Sequence, residues 1–117
     1  MEKQIINTTS APAPIGPYNQ AILAGDMLFI SGQICIDPPT GALKNQDIQQ
    51  ETHQVMHNLR SILTAADMTF HNVVKTTIFI TDMNRFSEIN EVMENISIAM
   101  PVSLLEKLYK CRHCQNL

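Results

Sequence analysis

Charge and aromatic rings are both scarce in this chain. Charged residues make up 16% of it and aromatic residues 5%, against a hydrophobic share of 44%. So little charge leaves surface to be covered, and an oligomer is the simplest cover. Six rings beside seven Met make the expected core aliphatic. A net charge of −3 and a pI near 5.7 give no basic face and count against a general nucleic-acid binder. No apolar run approaches the roughly 20 residues of a membrane-spanning helix. The opening residues, two charges and then Ile5-Ile6, do not read as a signal peptide. Three Cys, an odd number, point to reduced thiols in a cytoplasmic compartment. No phosphate-binding glycine loop, nucleophile elbow, linker or repeat is found, and 117 residues fit one domain, 1–117.

What is present alternates between strand and helix signals. Residues 3–7 read as a short edge strand. The segment Ala11-Pro12-Ala13-Pro14-Ile15-Gly16-Pro17 cannot be helical, because each Pro lacks a donor and holds its predecessor extended. Ala21 to Leu23 and Met27 to Ile30 flank Ala24-Gly25-Asp26, a hairpin signal. Pro38-Pro39-Thr40-Gly41 is a second turn. From Asp47 the period changes: Ile48, Thr52, Val55, Met56, Leu59, Ile62, Leu63 and Ala66 share one face at helical spacing. Asp47 with Gln50 three residues on starts a capping box, so a helix is expected over 47–66. Val73 to Ile80 is dense in β-branched residues and predicts a central strand. Asn84 is the expected N-cap of a second helix, with Phe86, Ile89, Val92, Met93 and Ile96 as its buried stripe. Two helices on one face of a mixed sheet make an α+β layer fold.

Several residues carry candidate chemistry. Tyr18 follows Gly16-Pro17 in a segment with little freedom, so its hydroxyl could orient a ligand, or its ring could simply pack over the hairpin. Ser31-Gly32 closes an apolar strand; a glycine there lets a backbone N–H approach an oxygen, or marks a bulge. Asn90 sits between the buried positions Ile89 and Met93, a poor helix-interior residue kept for a hydrogen bond or left on the surface. His53 and His57 have metal-ligand spacing but no adjacent Glu and no third ligand, and read as surface residues. Cys111-Arg112-His113-Cys114 supplies two thiols where structural zinc takes four ligands. No metal is expected.

The blocks Gly16-Pro17-Tyr18-Asn19-Gln20-Ala21, Leu28-Phe29-Ile30-Ser31-Gly32-Gln33-Ile34, the stretch from Val73 to Met83, and Ile89-Asn90-Glu91-Val92 together resemble the RidA (YjgF-type) family. The resemblance covers about residues 3–93, roughly four fifths of the chain; residues 94–117 diverge. It implies a chorismate-mutase-like α+β fold and a homotrimer with clefts between subunits. The implied activity is hydrolysis of 2-imino and enamine acids to 2-keto acids and ammonia, without a cofactor. On this chain Tyr18, Ser31, Gly32 and Asn90 would bind the substrate. The family's carboxylate-binding Arg falls at Ser103, and its accompanying Glu on the last strand is not found. Ser cannot replace a guanidinium fork, which leaves a ligand-binding member without turnover as the alternative. Ribonuclease or translation-inhibitor activity, ascribed to some members, finds no basic stripe to support it. Residues 101–109 have helical rather than alternating spacing, so the family's last strands appear lost and a sheet edge is left unpaired.

Overall fold

The computed structural model describes residues 2–96 with their side chains and the backbone of a strand at 105–110. In chain order its elements are β1 (Lys3–Ile6), β2 (Ala21–Ala24), β3 (Met27–Ile30), α1 (Ile48–Ala65), β4 (Thr76–Ile80), α2 (Phe86–Ile96) and β5 (Leu105–Lys110). The first three form an antiparallel sheet in the order β1-β2-β3, with β1 on the edge; β4 and β5 pair in parallel as a second ladder.

The expected hairpin is present. Ala24 pairs with Met27, so only Gly25 and Asp26 turn the chain, and Gly25 takes φ +59. That sign at the first turn position matches the right-handed twist of the flanking strands and excludes most side chains. Helix α1 begins as the sequence indicates: Asp47 is extended at φ −146 and its carboxylate accepts from the Gln50 N–H at 2.7 Å. It ends in a Schellman closure. Asp67 turns to φ +56 and the Met68 N–H reaches back to the Leu63 carbonyl at 2.8 Å.

Both helices lie on one side of the strands. Met56 and Leu63 of α1, Ile89 and Met93 of α2, and Ile80 of β4 form one core cluster, with Leu28, Ile30 and Ile78 packed against it. A second cluster joins Ile6, Ala11, Ala21 and Ile62. The other face of the three-stranded sheet bears Ile5, Met27 and Phe29, the last 61% exposed.

Three expectations need correction. Helix α2 is not capped by Asn84: the Asp82 carboxylate accepts from the Asn84 N–H at 3.0 Å and opens a 3-10 turn, Met83–Arg85, that runs into α2. An acceptor side chain two residues earlier satisfies the same free N–H groups. The strand expected from Val73 starts at Thr76, because the Val73 N–H closes a preceding 3-10 turn on the Phe70 carbonyl at 3.1 Å. The helical spacing at 101–109 gives way to strand β5, whose backbone pairs along β4 from Thr76↔Leu105 to Ile80↔Lys110. An open row of β4 donors and acceptors outweighs a six-residue apolar pattern that is too short to fix helix.

Candidate active-site groove

One groove, about 320 Å³ in volume, runs between the proline-rich segment after β1 and the irregular chain that follows β3. Its first wall is Pro12, Ala13, Pro14 and Ile15; its second is Gly32, Gln33, Ile34 and Ile36; Tyr18 and Gln20 lie between them. Among the described residues no charged side chain lines it.

The first wall cannot form a ladder, since alternate prolines remove the donors. It is held instead by Gln20, whose side chain is buried and makes four contacts. Its Oε1 accepts from the Thr8 N–H at 2.7 Å, while its Nε2 donates toward the carbonyls of Thr8, Ala11 and Pro12 at 3.0, 3.2 and 2.9 Å. Two amide hydrogens are thus shared by three carbonyls. Beyond this anchor the Tyr18 N–H closes a tight turn on the Gly16 carbonyl at 2.8 Å. A Cβ at position 16 would stand 3.3 Å from the Tyr18 ring. Glycine therefore lets the ring lie down on the turn while Tyr18 stays 50% exposed. The ring packs on its own turn at Gly16, and it borders the groove.

Ser31 ties the two walls together. Its N–H donates to the Gln20 carbonyl at 2.9 Å and its hydroxyl to the Asn19 carbonyl at 2.6 Å. That short bond commits the hydroxyl proton and leaves Ser31 Oγ as an acceptor only. Gly32 is exposed on the groove, and among the described residues a Cβ there would meet no atom beyond its chain neighbours within 4 Å. The chain's own packing does not require glycine at this point.

The second wall carries no regular strand, and α1 holds it from below. Asn58 is completely buried; its Nδ2 donates to the Ile34 carbonyl at 3.0 Å and the Ile36 carbonyl at 2.9 Å, and its Oδ1 accepts from Gln54 Nε2 at 3.0 Å. Between these two carbonyls lies Cys35, also buried. Its thiol is pushed above the ordinary range, first by burial and then by the Glu51 carboxylate. It is a poor nucleophile in this setting.

Of the residues that sequence reasoning named, Tyr18 and Gly32 border this groove, while Ser31 stands next to Gly32 and is not among the lining residues. Asn90 lies elsewhere, on α2, where its Nδ2 donates to Glu94 at 2.9 Å. His53 and His57 are exposed on α1 beside an open depression away from the groove. Among the described residues no three His, Cys, Asp or Glu side chains converge on a point where a metal could bind. Ser103 and the Cys111 to Cys114 stretch lie outside the described residues. Asn58 and Gln20 were missed as site residues. An Asn in the middle of an otherwise apolar helix face was the available signal for the first.

The family described as Endoribonuclease L-PSP matches residues 8–105, most of the chain and both groove walls. The chain belongs to the RidA/YjgF family. A RutC family protein of Pyrococcus horikoshii is 51% identical over 90 residues, spanning 77% of this chain and 71% of that one. The 2-iminobutanoate/2-iminopropanoate deaminase of Mus musculus is 46% identical over 90 residues, 77% of this chain and 67% of its own. Among solved structures, a conserved Rid-family protein of Yersinia pestis superposes with a TM-score of 0.87 at 38% identity, covering 94% of this chain and 88% of that one. The α+β fold expected from the RidA resemblance is the one observed.

Proposed function

We propose that the protein hydrolyses 2-imino and enamine acids to 2-keto acids and ammonia in this groove. The observation that carries the reading is Tyr18 and Gly32 facing one groove in a chain 46% identical to a named deaminase. The chemistry asks little of a protein. An imine carbon is already electrophilic: water adds through oxygen, the C=N electron pair moves to nitrogen with a proton, and the carbinolamine then expels ammonia. Holding the substrate and placing one water supply most of the acceleration. The Tyr18 hydroxyl would orient the polar end of the substrate, the Gly32 N–H would donate to an oxygen, and Ser31 Oγ would accept from the attacking water or the imine N–H. Asn90, bonded to Glu94 on α2 and outside the groove, takes no part in this reading.

The weak point of such a site is the substrate carboxylate. No cation lines the groove among the described residues, and Ser103 is neutral, so the carboxylate would rest on backbone donors and bind weakly. This favours one alternative, a member that binds small acids without turning them over. Ribonuclease activity draws no support from an uncharged groove. The assembly that fits is a homotrimer in the cytoplasm, its contact built on the apolar sheet face of Ile5, Met27 and Phe29.

The deciding assay is 2-ketobutyrate release from 2-iminobutyrate, made in situ by a threonine dehydratase with semicarbazide as competing trap. Release above the spontaneous rate is expected. A folded protein that gives none would leave the binding reading.

A further inference from the structure

We infer that Asn58, which never touches the groove, is a positioning residue that sets the groove's second wall, as Gln20 sets the first. The inference rests on the deaminase reading only for its kinetic readout; the wall itself is a matter of geometry.

The argument begins with what each wall lacks. Residues 12–15 are held off any ladder by proline, and residues 32–35 belong to no strand. Irregular backbone of this kind has many conformations of similar energy unless something selects one. On each side a buried carboxamide takes part in the selection, on the second wall together with the Lys44 N–H, which donates to the Cys35 carbonyl at 2.8 Å, and the Ile36–Leu43 bridge. Gln20 gathers the backbone of Thr8, Ala11 and Pro12. Asn58 gathers Ile34 and Ile36, 24 and 22 residues away in sequence. One NH₂ group meets the carbonyls of Ile34 and Ile36 on either side of a bend at Cys35, and so fixes the backbone of residues 34–36. Gly32 and Gln33, which face the ligand, continue directly from that fixed stretch into Ser31, which is tied in turn to the backbone of Asn19 and Gln20. The amide itself is oriented, because Gln54 donates to its free oxygen. Helix α1 thereby transmits its own rigidity to the groove through one side chain.

A merely structural Asn would affect stability alone; a positioning Asn also controls the order of residues 32–36 and the productive pose of the substrate. The test therefore compares Asn58→Leu with Ile89→Ala, a core change on α2 remote from the groove. Gln54→Met serves as a milder variant that frees the Asn58 amide without opening the core. Amide hydrogen exchange is read at Gly32 to Ile36, together with kcat and KM for 2-iminobutyrate and binding of 2-ketobutyrate. Expected for Asn58→Leu is at least a tenfold rise in exchange confined to residues 32–36 and at least a tenfold fall in kcat/KM, mostly in kcat. Gln54→Met should move both by two- to fivefold, and Ile89→Ala should lower the melting temperature without singling out residues 32–36. If Asn58→Leu does not fold, Gln54→Met decides alone, and unchanged exchange and kinetics in it overturn the inference. Equal losses in Ile89→Ala and Asn58→Leu also overturn it. If the unmodified protein shows no turnover, the deaminase reading falls instead. The positioning role is then judged on exchange and 2-ketobutyrate binding, and unchanged binding in the variants would sink it.

Discussion

The two faces of the three-stranded sheet carry the same kind of residue and meet different surroundings. Ile6, Ala21, Leu23, Leu28 and Ile30 point toward the helices and pack in the two core clusters. Their alternates on the same strands, Ile5, Met27 and Phe29, are apolar as well but stand exposed. A sheet meant to face water on one side alternates apolar with polar residues. In β2 and β3 this one does not, and both read as unbroken apolar runs; only the edge strand β1 brings polar residues, Lys3 and Gln4. Helices therefore cover half of what the sequence prepares for burial, and the other half suits a neighbouring copy.

The largest expected effect tests the covered side. Ile62 is fully buried in the cluster with Ile6, Ala11 and Ala21. Ile62→Ala is expected to lower unfolding free energy by about 2–5 kcal/mol, the range for such core truncations, read by urea denaturation. A loss under about 1 kcal/mol would mean that the helix-covered side is loosely packed. Phe29→Arg tests the open side. It should abolish assembly in sedimentation equilibrium while leaving helical circular dichroism intact and monomer stability within about 1 kcal/mol, as for surface changes. An unchanged mass would break the comparison, because the exposed row would then have no partner. The smallest effect concerns Cys35, measured with Cys111 and Cys114 replaced by Ser. Its raised thiol should react with iodoacetamide about tenfold or more slowly than glutathione at pH 8. Burial favours the neutral thiol, so the stability it contributes is complete below the ordinary thiol range. It is lost as pH rises through the native value. Reaction at the ordinary rate would show the second wall opening freely.

Local patterns were enough for the elements that local physics decides. The 3.6-residue spacing located α1 within a residue or two, and Asp47 caps it as its side chain requires. The Gly25-Asp26 hairpin and the Thr40-Gly41 turn also lie where turn chemistry put them; the Gly41 N–H bonds the Asp37 carbonyl at 2.8 Å and takes φ +71. Tyr18 and Gly32 stood out as candidates because Pro17 restricts the backbone before the first and the second carries no side chain, and both border the groove. The anchors beneath them did not stand out. Gln20 and Asn58 bond carbonyls up to 24 residues away; the apolar face around Asn58 hints at its burial, but no local pattern names the carbonyls that either amide meets. β5 was misread for the same reason: its conformation is set by a partner strand far back in the chain rather than by its own spacing.

The parallel pairing of β4 with β5 also has a consequence in time. Antiparallel neighbours such as β2 and β3 can join as soon as both are made, but β5 begins 25 residues after β4 ends, with α2 in between. At about 5–20 residues per second of synthesis, the Thr76–Ile80 edge waits roughly one to five seconds for its partner. Its sequence, Thr-Thr-Ile-Phe-Ile, is uncharged and rich in β-branched residues, the kind that pairs with other copies of itself. During that interval the newborn chain depends on α2 docking early, and the yield of soluble protein should be most sensitive to translation pauses between codons 81 and 104.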